Sequence, residues 1–175
     1  MSDSEMQADT LRVYFVTLWC HEKLDFLDES NPRLFVTNTL KLDIQKLGGK
    51  CVGFVVMPNH VQAIVWFAAV ETFKRFVTRW KRNSTNTIRG YFCSHPNDAA
   101  KRRPFGPIWG RGYHDLYLSG ESCIREALDQ MHNRPVHAGL VTKPEDWFDS
   151  SACFHLFGHL HYVPLEFDFL KVKRS

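Results

Sequence analysis

Residues 55–67 read Val-Val-Met-Pro-Asn-His-Val-Gln-Ala-Ile-Val-Trp-Phe, and they set an imidazole, His60, and an amide, Gln62, two positions apart in an otherwise apolar run. Side chains at i and i+2 of a strand leave from one face. A ring nitrogen and an amide oxygen would then stand side by side, and both are ligands for a hard divalent cation such as Mg²⁺ or Mn²⁺. The pair alone is equally well served by ordinary hydrogen bonds. What it means depends on what the rest of the chain brings to it.

A second kind of chemistry is written in the charge. Between Lys74 and Arg111 there are ten Lys/Arg and one acid, Asp98, a net +9 that leaves −6 for the remainder of a chain of formal charge +3. So uneven a field points to a polyanionic partner. Arg75, Arg79, Arg82 and Arg89 fall along one helix pattern, and Lys101, Arg102, Arg103 and Arg111 follow in a Pro- and Gly-rich loop. A solvated helix face is the bland alternative. Six to eight phosphate contacts from such residues would make affinity fall steeply with salt. Trp109, set among Gly106, Pro107 and Gly110, is a candidate stacking surface for an unpaired base, whereas Trp80 lies on an apolar stripe and belongs to the core.

The elements that must position these residues follow from periodicity. Residues 12–20 read as a first strand. A helix over about 31–47 carries an apolar stripe of Leu34, Thr37, Leu40, Ile44 and Leu47 and stops at Gly48-Gly49. Residues 50–57 and 60–67 form a hairpin around Pro58-Asn59. A long helix over 70–91 buries Val70, Phe73, Val77, Trp80, Ile88 and Tyr91. A strand over 113–119 precedes a helix that must stop before Pro135. The order β-α-β-β-α-β predicts an α+β fold, a ferredoxin-like split βαβ sheet, with an additional C-terminal helix and an irregular tail. Residues 1–10 read as a polar tail, 11–153 as one domain and 154–175 as an extension. At 175 residues one domain is the expected size.

The motifs Gly-Phe-Val-Val-Met-Pro-Asn-His-Val-Gln-Ala-Ile-Val (53–65), Gly-Pro-Ile-Trp-Gly-Arg-Gly-Tyr-His-Asp-Leu-Tyr-Leu (106–118), Ala-Leu-Asp-Gln-Met-His-Asn-Arg-Pro-Val-His-Ala-Gly-Leu-Val (127–141) and Asp-Trp-Phe-Asp-Ser-Ser-Ala (146–152) occur in an order and spacing that resembles the single-tyrosine HUH transposases, closest to the REP-associated branch. The resemblance covers about residues 11–153. It implies binding of single-stranded DNA with small hairpins, a homodimer, and a divalent metal held by two strand histidines and a helix side chain. It also implies a tyrosine one turn before that ligand that attacks a DNA phosphate.

Carried over residue by residue, His60 matches the first metal histidine and Gln62 stands at the second. Gln130 stands at the tyrosine and Arg134 at the third ligand. An amide cannot form the phosphotyrosine-type intermediate, and a guanidinium has no lone pair to offer a metal. The expectation is a transposase-like protein that binds single-stranded or hairpin DNA, with nicking and strand transfer lost or impaired and Mg²⁺ or Mn²⁺ bound weakly or not at all. Two alternatives stay open: an active enzyme with a relocated nucleophile, Tyr113 or Tyr117, and a protein-interaction module that keeps only the fold.

Composition narrows the setting. Five scattered cysteines with no Cys-x-x-Cys pair argue against a disulfide framework or zinc site and for a reducing compartment. The longest apolar stretch is broken by Pro58, Asn59, His60 and Gln62, so no membrane span is expected. A cytoplasmic, nucleoid-associated protein is the expectation. The paired histidine spacing at His159 and His161 in the tail is weak evidence for a second metal site.

Overall fold

The computed structural model describes residues 12–95 and 106–167. Lys101, Arg102 and Arg103 lie outside the described residues. The order is β1 (Val13–Trp19), α1 (Ser30–Lys46), β2 (Lys50–Met57), β3 (His60–Trp66), α2 (Val70–Ser94), β4 (His114–Leu118), α3 (Glu121–His132), α4 (Arg134–His137) and α5 (Ala152–Phe157). The four strands form one sheet in the order β2-β3-β1-β4, and every neighbouring pair is antiparallel. This is the split βαβ arrangement expected from the sequence.

Alternation along the strands divides the sheet into two faces. Tyr14, Val16 and Leu18 of β1 and Val61, Ala63 and Val65 of β3 point to α1 and α2, where they meet Val36, Leu40, Phe73, Phe76 and Trp80 in the larger core. Val13 of β1 and Ile64 of β3 point to the other face and pack with Val55, Leu118, Ile124, Leu128 and Met131. His60 and Gln62 share the face of Ile64, because strand side chains alternate with period two.

The second face is only partly roofed. α3 lies over β2, and the approach is close: a Cβ added at Gly53 would sit 2.5 Å from Leu128 Cδ2 and 3.2 Å from Met131 Cε. Toward β4 the cover thins, and Leu116 is 59% exposed. The free edge of β2 is occupied by the C-terminal segment. Val56 N donates to Asp149 O at 2.8 Å, Ser151 N to Phe54 O at 3.0 Å, and Glu166 N to Cys51 O at 2.8 Å. α5 crosses residue 153, where the boundary between domain and extension was expected, and the extension folds back onto the sheet.

Two helix faces differ from the expected stripes. In α1, Leu34 is 41% exposed while Val36 and Asp43 are buried. The Asp43 carboxylate accepts from Arg79 Nε at 3.1 Å and from Asn83 Nδ2 at 2.9 Å, so a charged pair sits inside the α1–α2 contact. In α2, Val70 is 38% exposed, and Phe76 and Phe92 are the buried residues that the stripe lacked. Among the described residues no helix is long and apolar enough to cross a membrane.

Candidate functional site

His60 is the first residue of β3, directly after the Pro58-Asn59 turn, and it is paired across the sheet with Trp19 of β1 and Met57 of β2. Asn59 Oδ1 lies 2.7 Å from His60 Nδ1. A carbonyl oxygen accepts, so Nδ1 carries the proton and Nε2 keeps its lone pair. Gln62 is anchored in the same sense: its Nε2 donates to Thr17 Oγ1 at 3.3 Å, leaving Oε1 as an acceptor. Among the described residues, the buried atoms His60 Nε2 and Gln62 Oε1 have no hydrogen-bond partner. The His60 ring leans on Trp19, centroids 4.3 Å apart, and the Lys23 ammonium stands 5.3 Å from the Trp19 ring.

Burial, and after it the positive charge of Arg134, pushes the His60 pKa down to about 4, so the imidazole is neutral at physiological pH. That Arg134 acts on His60 places the guanidinium within electrostatic reach of the ring. Arg134 is exposed and opens α4, one turn after exposed Gln130 on α3. Pro135 behind it is buried. The opposite side of α3 is locked down by His132, whose Nε2 lies 2.8 Å from Ser151 Oγ, and the same oxygen accepts from Phe54 N at 2.9 Å. His132 is 5% exposed. Burial first, then the charge of neighbouring His155, pushes its pKa down to about 3.

The tyrosines considered as relocated nucleophiles are on the wrong face. Tyr117 meets Tyr14 edge-on at 6.0 Å, and Tyr113 meets Phe73 at 6.1 Å, both on the α1–α2 side. The ionisable residue of β4 that shares the face of Gln62 is His114, opposite Thr17, which is itself opposite Gln62. Sequence periodicity alone could have found this, since 114 rather than 113 or 117 shares a face with Leu118.

The donor set is a poor match for a divalent cation. Two buried lone pairs without partners would suit one, but both donors are neutral, no carboxylate joins them, and the expected third position is a guanidinium. Among the described residues no group of three or more His, Cys, Asp or Glu is assembled to hold a metal. His159 and His161 diverge, His161 against Phe54 at 5.0 Å and His159 against Phe157 at 5.6 Å.

The basic surface is sorted by the fold. Arg75, Arg82 and Arg111 are exposed. Arg79 is taken by Asp43. Arg89 donates to Gly106 O at 2.9 Å, and Lys81 donates to Gly110 O and Gly112 O, both at 2.8 Å. These two cations tie the 106–112 loop to α2. Trp109 is not an open platform: it is 5% exposed and its Nε1 donates to Ser84 Oγ at 3.0 Å. Between α2 and this loop runs a cleft of about 600 Å³ lined by Val77, Arg82, Asn86, Ile108 and Tyr113 among others. The loop passes the end of β1, where Gly110 N donates to Trp19 O at 2.8 Å. It therefore carries the basic surface round to the end of the sheet that holds His60.

The four-stranded split βαβ sheet, with a His-x-Gln pair on an inner strand, has a fold similar to that of solved transposases. The structure of a REP-associated tyrosine transposase bound to a REP hairpin aligns with 99% of this chain and 96% of its own, at 15% identity and a TM-score of 0.66. A putative transposase from Deinococcus radiodurans R1 aligns with 69% of this chain and 91% of its own, at 18% identity and a TM-score of 0.51. At such identities the likeness is one of fold. No family model and no curated protein matches the sequence.

Proposed function

We propose that this protein binds structured single-stranded DNA, of the small-hairpin kind, and does not nick it. The DNA part of the reading is supported by a fold shared with a transposase solved on a REP hairpin, and by Arg75, Arg82 and Arg111 exposed on α2 and the loop beside it. The observation that carries the absence of nicking is the make-up of the end of α3 and the start of α4. An amide, Gln130, and a guanidinium, Arg134, stand where the resemblance expects a tyrosine and a metal ligand, and Tyr113 and Tyr117 project to the α1–α2 side of the sheet. Phosphoryl transfer to the protein needs an ionisable nucleophile, which neither Gln130 nor Arg134 supplies.

A labelled hairpin oligonucleotide, run with the protein on native and denaturing gels with Mg²⁺ or Mn²⁺ present, tests both halves. Retention on the native gel that is lost as salt rises, with no band surviving denaturation, is the expected result. A covalent adduct would restore the reading of an active transposase. Salt-insensitive failure to retain the oligonucleotide would favour a protein-interaction module. A homodimer and nucleoid association belong to the same proposal, and light scattering with and without the oligonucleotide reports on the first.

A further inference from the structure

The cleft between α2 and the 106–112 loop combines an apolar depth with a cationic mouth. Its volume of about 600 Å³ falls within the roughly 300–1,000 Å³ of sites that take small organic ligands. Val77, Ile108 and Trp109 line it and are at most 5% exposed. Lys81, Arg82 and Arg89 line it too, and none of its lining residues is an acid. Lys81 gives two of its three N–H groups to Gly110 O and Gly112 O, and the third has no acceptor among the described residues. Arg89 donates to Gly106 O, while its buried Nε has no partner among the described residues. Arg82 and Asn86 are exposed beside them. The walls are braced before any ligand arrives, because the same lysine and arginine pin the loop and Ser84 Oγ holds the Trp109 indole. Such bracing lowers the cost of binding.

Apolar walls below unspent donors suit a ligand with a flat body, acceptors along its edge and a negative charge outside. A single nucleotide has that make-up: the base supplies the flat body and the acceptors, and the phosphate supplies the charge. Paired bases do not fit, because their edges are engaged and their faces stacked. We propose that the cleft takes one unstacked nucleotide of the bound DNA, its base against Val77, Ile108 and Tyr113 and its phosphate on Arg82. Lys81 and the Asn86 amide then meet the edge of the base. The inference rests on the DNA-binding reading for the source of the nucleotide, whereas the cleft and its donors stand apart from that reading. An unpaired base costs least to unstack, so the nucleotide comes from the loop or the flank of a hairpin rather than from its stem. On this reading α2 senses where an unpaired base falls along the strand, which a uniform stripe of charge cannot do.

The test fills the cleft from its exposed side. Thr78 lines it, is exposed, and its hydroxyl donates to Lys74 O of its own helix, so Thr78→Trp adds bulk there without touching the core. Asn86→Trp is a second block, used if melting shows that the first does not fold. A labelled hairpin with a single-stranded flank is scanned with abasic residues, one unpaired position at a time, against the full chain and the blocked variant. In the unmodified chain, loss of the base at one position should weaken binding about tenfold, as expected for a base stacked on protein. The blocked variant should bind the intact hairpin about tenfold more weakly and be indifferent to the abasic residue at that position. Equal affinity of the two chains for the intact hairpin, or an abasic penalty that persists in the blocked variant, overturns the proposal. Failure of the unmodified chain to retain any hairpin sinks the DNA reading instead. Titration with deoxyguanosine monophosphate, against inorganic phosphate as control, then decides the cleft alone. Binding of that nucleotide, but not of phosphate, that Thr78→Trp abolishes keeps the nucleotide site; binding to neither chain, or to both alike, removes it.

Discussion

His60 shows how a single buried ring can be read twice. As a hydrogen-bonding group it is half satisfied, Nδ1 donating to Asn59 and Nε2 left alone. As a titrating group it is held neutral, its pKa down at about 4, and His132 behaves likewise at about 3. The sign of the linkage follows. Between these values and the ordinary histidine pKa near 6.5 the unfolded chain binds more protons than the folded one, so stability rises with pH across that window and is lost as pH falls through it. Chemical denaturation should show a loss of roughly 2 kcal/mol per buried histidine between pH 6.5 and pH 5, with little change above pH 7. His132→Gln should flatten part of that slope. A flat profile between pH 5 and pH 7 would mean that water reaches both rings. Gln62→Leu is informative at the same scale. It removes an unpartnered acceptor along with one weak bond, so unfolding free energy should change by less than about 1 kcal/mol. A larger loss would reveal a partner for Oε1.

At the scale of elements, α3 is positioned by what β2 omits. Gly53 leaves room for Leu128 and Met131, and Ser151 Oγ would stand 3.0 Å from an added Cβ. Gly53→Ala must displace the ends of the Leu128 and Met131 side chains, through which α3 packs on the sheet, and should cost about 1–3 kcal/mol, as overpacking does. It should also weaken hairpin binding by displacing Arg134, which a thermal melt paired with a gel shift can follow. Much of this layer was legible beforehand. Hairpin, helix order and the stop at Pro135 all follow from period-two and period-3.6 patterns and from turn residues. The misreadings share a cause. The expected α1 stripe includes Leu34 and omits Asp43, yet Asp43 is buried against Arg79 and Asn83 from another helix. Arg79 was assigned to DNA for the same reason. Trp109 was judged open from its Gly and Pro neighbours, whereas Ser84, 25 positions earlier, takes its indole proton. Partners that distant in sequence leave no local periodicity to detect.

For the whole molecule the question is how one DNA strand could touch both the α2 surface and Arg134, which opens α4 on the other side of the sheet. The 106–112 loop, pinned by Lys81 and Arg89, crosses the end of β1 beside Trp19 and His60. Arg111 rides on that loop, exposed. A strand following the positive potential would run from Arg75 and Arg82 past Arg111 to Arg134. Each phosphate contact on a single strand contributes about −0.7 to the slope of log affinity against log salt. Arg82→Ala and Arg111→Ala should therefore each make the measured slope shallower by about that amount while leaving stability within about 0.5 kcal/mol. Arg79→Ala should do the reverse, destabilising the α1–α2 contact through an unpaired Asp43 while leaving the slope unchanged. The contrast separates cations that face the ligand from those that hold the scaffold. If all three variants shifted the slope equally, the strand would not follow this path and the end of the sheet would not be where the faces communicate.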